Sequence, residues 1–281
     1  MKSMRKAFFA FATLSLVALA SCTKELDMTL VSKTLYENSA IDAIEAEQYW
    51  ILNVVADSNS NGVKVEYSAY LDEYLDISLN NGLLKLAFKN QPYMSPSTRF
   101  QATVHLGNLN RMTLNGHAVA NFEENAIRTS DLELTLKDKS VCKNAHFTGN
   151  ACKIHLSGAS ELQKYSFEGS SCSAQLYDQS RIWGNILAND SLLLTLDNAS
   201  RFSNYGGASS YADIRLDNSS EANLLPTQIN NLNVELNNKA MATVTVSDLM
   251  TGSLQNTSTL HYLGTPQIEI VCDTTSKITP L

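Results

Sequence analysis

The residues that could carry out catalysis are two aspartates, Asp197 and Asp217, which stand twenty positions apart in segments of similar sequence. If such segments stack as neighbouring strands, the two carboxylates lie about 4.8 Å apart. Glycoside hydrolases place two carboxylates about 5 to 9.5 Å apart, so the pair supports one alternative, a carbohydrate-active enzyme. No third acid and no column of histidines accompanies the pair in the sequence. We therefore expect a non-enzymatic protein with no catalytic residue and no cofactor.

Metal binding is not expected either. The five histidines fall at different positions of the repeat. Asp197 and Asp217, even with the asparagines that follow them, supply fewer oxygen ligands than the six or more that Ca²⁺ takes. The sequence also lacks the phosphate-binding, dinucleotide-binding, zinc-protease and serine-hydrolase motifs.

A second group of residues could bind a sugar. Arg181 and Arg201 occupy one repeat position, and a tryptophan and two tyrosines follow Arg181 within thirty residues. Aromatic rings stack on apolar surfaces, and arginine donates several hydrogen bonds. The candidate glycan-contact residues are Arg181, Trp183, Arg201, Tyr205 and Tyr211. The alternative is a solvated face, in which Glu161 with Arg181 and Arg201 with Glu221 form exposed ion pairs of about 0 to 1 kcal/mol.

The first 22 residues predict export and a lipid anchor. Three basic residues precede an apolar run over residues 7–20, which is the pattern of a signal peptide. Leu19-Ala20-Ser21-Cys22 resembles the bacterial lipoprotein box, which implies that Cys22 is acylated and becomes the new N-terminus. The alternative is an ordinary secreted protein with a chance cysteine. Because no aspartate stands immediately after Cys22, we expect outer-membrane lipid as the anchor, with the body on the cell surface or the periplasmic side.

Two further modifications are open at this stage. Cys152 and Cys172 share one repeat position, so either a disulfide or a pair of buried thiols is compatible with the sequence. Cys142 and Cys272 have no evident partner. Asp190-Ser191-Leu192 resembles a short O-glycosylation motif of some Gram-negative bacteria, which makes Ser191 a possible glycosylation site.

Charge and composition exclude other classes of protein. With 44% apolar and 17% charged residues, the chain is too apolar to be disordered. Its net charge is −7, and removal of the three basic residues of the signal peptide leaves 18 basic against 28 acidic residues, near −10. Nucleic acid needs a basic surface, so it is not an expected partner.

The body of the chain repeats every twenty residues. One column of the repeat is leucine throughout, at Leu136, Leu156, Leu176, Leu196, Leu216 and Leu236. Apolar residues alternate with polar ones before each leucine, as in a strand with one buried face. Two positions later comes Asp, Asn or Gly, which favours a bend. Short strands and bends at this period predict a parallel β-helix, right-handed by the usual crossover rule.

Serine recurs four positions after the first five of the six leucines, from Ser140 to Ser220. The serine precedes a second strand and lies on the same face as that strand's apolar residue. We predict an interior serine ladder, with outward turn residues as the alternative.

The residues 41–90 (IDAIEAEQYWILNVVADSNSNGVKVEYSAYLDEYLDISLNNGLLKLAFKN) resemble the opening of the GIN-domain family of auto-transporter adhesin head domains. Tyr262-Leu263-Gly264-Thr265-Pro266 is similar to the Tyr-x-Gly-x-Pro element that often ends these domains. The resemblance covers Tyr36 to Ile270 and implies an exported, often lipid-anchored protein with an adhesive role. Asn115-Gly116-His117-Ala118 and Ser157-Gly158-Ala159-Ser160 stand where the family has Gly-Ser-Gly corners.

The sequence therefore predicts an all-β protein, a right-handed parallel β-helix with coils of about twenty residues preceded by an irregular β section. The predicted segments are a signal peptide (1–21), a lipidated tether (22–35), an N-terminal β section (36–106), the β-helix (107–270) and a tail (271–281). The expected function is non-catalytic adhesion to a glycan or an envelope protein, and the alternatives are the enzyme above and a periplasmic sensor or scaffold.

Overall fold

The computed structural model describes residues 25–57, 60–123 and 125–281. They form a parallel β-solenoid of about eight coils of roughly twenty residues after an irregular β region, which confirms the predicted fold class. The signal peptide and Cys22 lie outside the described residues. Within these ranges, no helix is long and apolar enough to cross a membrane.

The elements of the irregular region and the first coil precede residue 123. They are β1 (Leu30–Leu35), β2 (Ala43–Ala46), β3 (Ile51–Ala56), β4 (Gly62–Ser68), a 3-10 turn (Ala69–Leu71), β5 (Leu75–Asn80), β6 (Leu83–Phe88), β7 (Phe100–Leu106), β8 (Arg111–Leu114) and β9 (Val119–Phe122).

The remaining strands belong to the regular solenoid. They are β10 (Ile127–Arg128), β11 (Asp131–Leu136), β12 (Val141–Lys143), β13 (His146–Thr148), β14 (Ala151–Leu156), β15 (Glu161–Leu176), β16 (Arg181–Leu196), β17 (Arg201–Asn204), β18 (Ala208–Leu216), β19 (Glu221–Leu236), β20 (Met241–Leu254), β21 (Thr259–Leu263), β22 (Gln267–Cys272) and β23 (Lys277–Pro280).

Each coil runs along a strand that ends in the repeated leucine, turns a corner and continues in a second strand. β11 pairs in parallel with β14, and Leu136 stands opposite Leu156. After the corner, β12 pairs with β15 in the same register of twenty residues. Equivalent residues therefore stack in columns, and the leucine column is buried along its whole length.

The corners have left-handed backbone where the sequence has Asp, Asn or Gly. The φ angle is 62° at Asp138, 71° at Gly158, 64° at Asp178 and 54° at Asn198. These residue types adopt positive φ with little strain, because glycine has no Cβ and the short polar side chains form local hydrogen bonds. The predicted bends are confirmed.

The serine ladder lies inside the solenoid. Ser160 is fully buried, and its hydroxyl donates to the carbonyl oxygen of Leu136 in the preceding coil at 3.1 Å. Ser200 makes the equivalent bond to Leu176 at 3.2 Å. The interior ladder is confirmed, and its partner is the backbone of the neighbouring coil.

The irregular region already contains a coil of the solenoid. β2 pairs in parallel with both β6 and β8, and β3 pairs in parallel with both β7 and β9. The coil of residues 43–56 therefore lies between residues 83–106 and residues 111–122, out of chain order. The twenty-residue repeat is hidden in the sequence here because hairpins are inserted between the strands.

Antiparallel strands cover the N-terminal end of the solenoid. β5 pairs with β6, β4 with β7, and β1 with β4, all antiparallel. The structure thus differs from the predicted tether of residues 22–35, since its second half is β1. Pairing with β4 stabilises this segment because it satisfies backbone groups that an open edge would leave to solvent.

The C-terminal end also differs from the predicted boundary. β22 continues the leucine side of the coil by pairing with β20, and β23 pairs with β21. The predicted tail of residues 271–281 is therefore mostly part of a last coil. The shorter spacing of eighteen residues, as between Leu254 and Cys272 in register, conceals this coil in the sequence.

Candidate functional site

The two arginines lie in adjacent strands on one outer surface. Arg181 stands opposite Arg201, which stands opposite Glu221, and Glu161 precedes them in the same column. We call this surface the Arg face; its outward column is Ile51, Val119, Val141, Glu161, Arg181, Arg201 and Glu221. It is carried by the strands that follow the serine corner. The alternation of these strands points the even-numbered neighbours, such as Ile182, into the core.

Only one of the two expected ion pairs is present among the described residues. Arg201 Nε lies 3.5 Å from Glu221 Oε2, and both side chains are exposed. Glu161 instead accepts a hydrogen bond from Gln163 Nε2 at 2.6 Å. Arg181 is therefore exposed next to Arg201, and its guanidinium is available to a ligand.

Two of the three aromatic candidates lie near the arginines. Trp183 is half-buried two residues after Arg181, opposite Ser203 of the neighbouring strand. Tyr205 follows β17, where its N–H donates to the carbonyl oxygen of Gly184, and its side chain is 62% exposed. These rings and the arginines occupy two adjacent coils.

Tyr211 is placed elsewhere. It lies in β18, which ends in Leu216, in register with Ser191 on one side and Asn231 on the other, and it is 40% exposed. The structure therefore groups Arg181, Trp183, Arg201 and Tyr205 but sets Tyr211 beside Ser191 at a different edge of the coil. Ser191 is half-buried at this edge.

The two aspartates are bound to the corners. Asp197 Oδ1 accepts from the Asn198 N–H and from Asn218 Nδ2, both at 2.8 Å. Asp217 Oδ1 accepts from the Asn218 N–H at 2.7 Å and from Asn238 Nδ2 at 2.8 Å. The pair borders a shallow depression of about 400 Å³ on the leucine side. Their hydrogen bonds join each corner to the next, which gives both carboxylates a structural role.

No group of three or more metal-ligating side chains occurs in the part of the chain that the structure describes. The histidines, which the repeat distributes over different columns, remain apart.

Three cysteines are core residues. Cys152 and Cys172 are buried, in register and free, and Cys152 Sγ lies 3.0 Å from the hydroxyl of Tyr165. The hydrogen bond with Cys152 and burial raise the pKa of the Cys172 thiol. Burial likewise raises the pKa of Cys142. Because the thiolate is the reactive form, the Cys142 and Cys172 thiols are unreactive in the folded protein.

A buried polar network at Asn204 was not predicted from the sequence. Asn204 Oδ1 accepts from the Ile186 N–H at 2.7 Å, and Nδ2 donates to the carbonyl oxygen of Gly206 at 2.6 Å and to Thr227 Oγ1 at 2.8 Å. Asn204 occupies an inward column otherwise held by apolar residues or glycine, such as Leu224 and Gly184. A polar residue in an apolar column was the available signal.

A groove at the N-terminal end of the Arg face was also not predicted from the sequence. This aromatic groove, with a volume of about 830 Å³, is lined by Tyr49, Ile51, Tyr93, Met94, Phe100 and His117, among others. Tyr49 and His117 stack with ring centroids 4.9 Å apart and planes 20° from parallel. Only folding reveals this pair, since 68 positions separate the two residues.

Two successive corners create the ring pair. Tyr49 follows Gln48, with φ 60°, and His117 follows Gly116, with φ 71°. The His117 N–H donates to the Gln48 carbonyl oxygen at 2.6 Å, which aligns the two corners. The rings therefore project from equivalent positions of adjacent coils.

The opposite wall of the groove is the loop between β6 and β7. The hydroxyl of Tyr70 donates to the Tyr93 carbonyl oxygen at 2.8 Å and lies 2.7 Å from Thr98 Oγ1. Thr98 Oγ1 also accepts from the Ser95 N–H at 3.0 Å. These bonds fix the loop, so the groove is formed without a ligand.

The family is decided by comparison with known sequences. A profile of the family described as "Putative auto-transporter adhesin, head GIN domain" matches residues 40–266. The chain belongs to this family. The resemblance noted from the sequence is thereby confirmed, and the aromatic groove and the Arg face both lie within the matched part of this GIN domain. No curated protein sequence matches it significantly.

Solved structures share the fold of this GIN domain. A putative adhesin from Parabacteroides distasonis superposes with a TM-score of 0.66 at 14% identity, covering 91% of this chain and 98% of that one. A putative adhesin from Parabacteroides merdae gives 0.67 at 12% identity, with 90% and 96% covered. A putative lipid binding protein from Parabacteroides distasonis gives 0.62 at 14% identity, with 91% and 98% covered. At these identities the likeness concerns the fold alone.

Proposed function

We propose that this GIN domain is a non-catalytic adhesion module that contacts glycans through the Arg face. The observation that carries the proposal is the exposed group of Arg181, Arg201, Trp183 and Tyr205 on two adjacent coils. Membership of a family of putative adhesins supports it. The engagement of Asp197 and Asp217 in corner hydrogen bonds makes the enzymatic alternative the weaker one.

Glycan-array binding of the wild type and of Arg181→Ala tests this proposal. We expect the variant to lose most of the signal, because its guanidinium has no ion pair in the folded protein among the described residues. The matched control is Arg215→Ala, which removes an exposed arginine on the leucine side that is paired with Asp213. Equal binding signals from the wild type and Arg181→Ala would contradict the proposal.

We also propose that the domain is attached to outer-membrane lipid through acylated Cys22, on the basis of the Leu19-Ala20-Ser21-Cys22 box. Several acyl chains on one residue give a durable anchor. Metabolic labelling with palmitate should mark the wild type and leave Cys22→Ala unlabelled. Label retained by Cys22→Ala would place the acylation elsewhere.

Orientation separates adhesion from the periplasmic sensor or scaffold. The proposed adhesive role requires the Arg face to be outside the cell. Protease added to intact cells should therefore remove the domain, with a periplasmic protein as the control for membrane integrity. A domain that is cleaved only after the outer membrane is opened would favour the periplasmic role.

Ser191 is proposed as an O-glycosylation site on the sequence Asp190-Ser191-Leu192. Its half-buried position beside Tyr211 leaves the site at the edge of the coil. Intact-mass measurement of protein from the native host should show an added glycan that Ser191→Ala lacks. If the wild type and Ser191→Ala both differ by the same amount from the masses calculated from their sequences, the site is rejected.

A further inference from the structure

The aromatic groove presents rings to solvent on both walls. Tyr49 and His117 form one wall as a stacked pair, and both are exposed. Tyr93, on the loop opposite, is 72% exposed. Exposed aromatic rings facing a groove are costly to leave in water, and a ligand with an apolar face would cover them.

The floor of the groove is rigid. Phe100 lines it and packs edge-on against buried Trp50 with centroids 5.9 Å apart, and Trp50 in turn stacks on Phe88 at 5.6 Å. The loop above is held by Tyr70. A preformed site loses little conformational entropy on binding, which favours recognition of a ligand by shape.

The lining of the groove contains no Asp, Glu, Lys or Arg. Its residues are aromatic, aliphatic or neutral polar, and the polar ones include Gln91 and Ser95 of the loop. The chain as a whole has a net charge of −7, which disfavours an anionic ligand. Charge complementarity therefore indicates an uncharged ligand.

The form of the groove distinguishes among uncharged ligands. An acyl chain has no groups for the Gln91 amide, the Ser95 hydroxyl or the His117 ring, and an open groove would leave much of the chain in water. A sugar ring has an apolar face that covers an aromatic ring and hydroxyls that bond to such groups. It also keeps part of its surface hydrated, which suits rings that remain exposed.

The groove and the arginines lie on the same surface. Ile51 and Val119, at the groove, continue through Val141 and Glu161 to Arg181 in one outward column. Val119 and Arg181 are three strand spacings apart, roughly 14 Å. An extended chain bound in the groove can thus reach the arginines.

We propose that the aromatic groove binds a neutral glycan, with one sugar ring stacked on the Tyr49–His117 pair and covered by Tyr93. The inference rests on the proposed adhesive function and adds to it the main binding site and the charge class of the ligand. The Arg face then contacts the same glycan farther along its length.

The test is binding of the full chain to an array that holds neutral and sialylated oligosaccharides. Tyr49→Ala and Tyr93→Ala should each weaken binding of neutral oligosaccharides on the order of 3- to 10-fold, the range expected for one aromatic contact. Binding should be unchanged in 0.5 M salt, because salt screens interactions between charges and leaves ring stacking intact.

Tyr177→Ala is the matched control. Tyr177 also lies beside a histidine, His155, with centroids 5.5 Å apart, but on the leucine side. All three tyrosines are at least partly exposed, so the variants should unfold at the wild-type temperature. Unchanged binding by Tyr177→Ala together with loss by the two groove variants supports the proposal.

Four results would overturn it. Wild-type affinity for neutral oligosaccharides in both groove variants would exclude the groove. Binding of only sialylated oligosaccharides, dependent on Arg181, would exclude the groove but leave the adhesive function in place, whereas binding of no oligosaccharide would reject both. Binding of phosphatidylcholine vesicles that Tyr49→Ala abolishes, without glycan binding, would indicate an acyl-chain site.

Discussion

Buried polar side chains in this solenoid complete the hydrogen bonding of the backbone at the corners. The Leu176 carbonyl oxygen accepts from the Asp197 N–H at 2.9 Å and also from the Ser200 hydroxyl at 3.2 Å. The serine therefore bonds to a carbonyl that already has one donor. Alanine occupies the equivalent position 240, fully buried, which shows that a coil forms without the hydroxyl. Each serine of the ladder thus contributes about 0.5 to 1.5 kcal/mol, the usual net value of a hydrogen bond.

Asn204 contributes more than one such bond, because its buried side chain accepts from the Ile186 N–H and donates to the Gly206 carbonyl oxygen and the Thr227 hydroxyl. We expect Asn204→Ala to lower the free energy of unfolding by about 2 to 4 kcal/mol, since it leaves the buried Ile186 N–H without an acceptor and opens a cavity. Chemical denaturation measures this. Asn223→Ala, at an exposed asparagine nineteen positions later, should cost less than about 1 kcal/mol and serves as the control. Equal effects of the two variants would contradict the network.

The state of the cysteines is a second prediction at this scale. In the folded protein a maleimide should label exposed Cys272 and leave Cys142, Cys152 and Cys172 unlabelled, because burial excludes the reagent and raises the pKa of Cys142. After unfolding without reductant all three should react, as peptide mass mapping would show. If Cys152 and Cys172 form a disulfide, only Cys142 of the three will be labelled before reduction.

Among the elements, the corner is the unit that changes from coil to coil. In the earlier coils an aspartate side chain accepts from the glycine N–H of the preceding corner, as Asp178 does from Gly158 at 3.0 Å. In later coils this contact is replaced by the side-chain ladder from Asp197 to Asn218 and from Asp217 to Asn238. Both arrangements link successive corners, so the Asp and Asn residues there are explained by the stacking of coils.

Asp273 closes the last corner, and its effect should depend on pH. Its carboxylate accepts from the N–H groups of Asn256, Thr275 and Ser276, and the Asn256 bond is the main reason that its pKa lies well below the usual 3.8. Because the folded state binds the proton more weakly than the unfolded state, the stabilisation is complete above about pH 5. It declines as the pH falls from about 4 towards the lowered native pKa.

Thermal unfolding of Asp273→Ala tests this. The variant should melt below the wild type at pH 7, and the gap should narrow between pH 4 and pH 2. Asp248→Ala is the control, since Asp248 is exposed and its carboxylate has no hydrogen-bond partner among the described residues. A gap for Asp273→Ala that is constant from pH 7 to pH 2 would contradict the role of the carboxylate.

For the whole molecule, the two ends of the solenoid are different. Antiparallel β1, β4 and β5 cover the N-terminal end. At the C-terminal end, the inward column of β22 is open: Ile268 is 42% exposed and Cys272 is also exposed. The last coil therefore contacts one neighbour where inner coils contact two. In solenoids stability is approximately a sum of such neighbour contacts, so this end is the less stable one.

Hydrogen exchange should reveal the difference at matched amides. The N–H groups of Asp273 and Lys277 bond to the preceding coil at 3.1 and 3.0 Å, as those of Asp217 and Glu221 do at 2.9 and 3.0 Å. We expect the first two to exchange at least tenfold faster, because the last coil opens locally without unfolding the rest. Equal protection at the two pairs would show that the solenoid opens as one unit.

The regular coils were predictable because each position of the repeat has one environment. The leucine column, the Asp and Asn bends and the interior serines all follow from stacking with a twenty-residue period, and the structure confirms each. The coil of β2 and β3 was not predictable from periodicity, since it lies out of chain order. The extent of β1 and of the last coil depends on backbone pairing, which residue types at an edge do not specify.

In the candidate surfaces, too, some residues could be placed from the sequence and others could not. Arg181 and Arg201 were placed together from the sequence, because they are one period apart, and the same spacing placed Asp197 beside Asp217. Tyr211 was predicted to join the arginines in a sugar-binding surface, but it lies beside Ser191 at another edge of the coil. The Tyr49–His117 pair required the inserted coil to be located first.

The sequence by itself thus determined the family, the period of the solenoid and the residues that stack along it, since local alternation and a constant repeat encode these. The tertiary structure decided the order of the first coils, the covering of one end and the aromatic groove. These depend on contacts between residues tens of positions apart, whose proximity follows from hairpin insertion and backbone pairing.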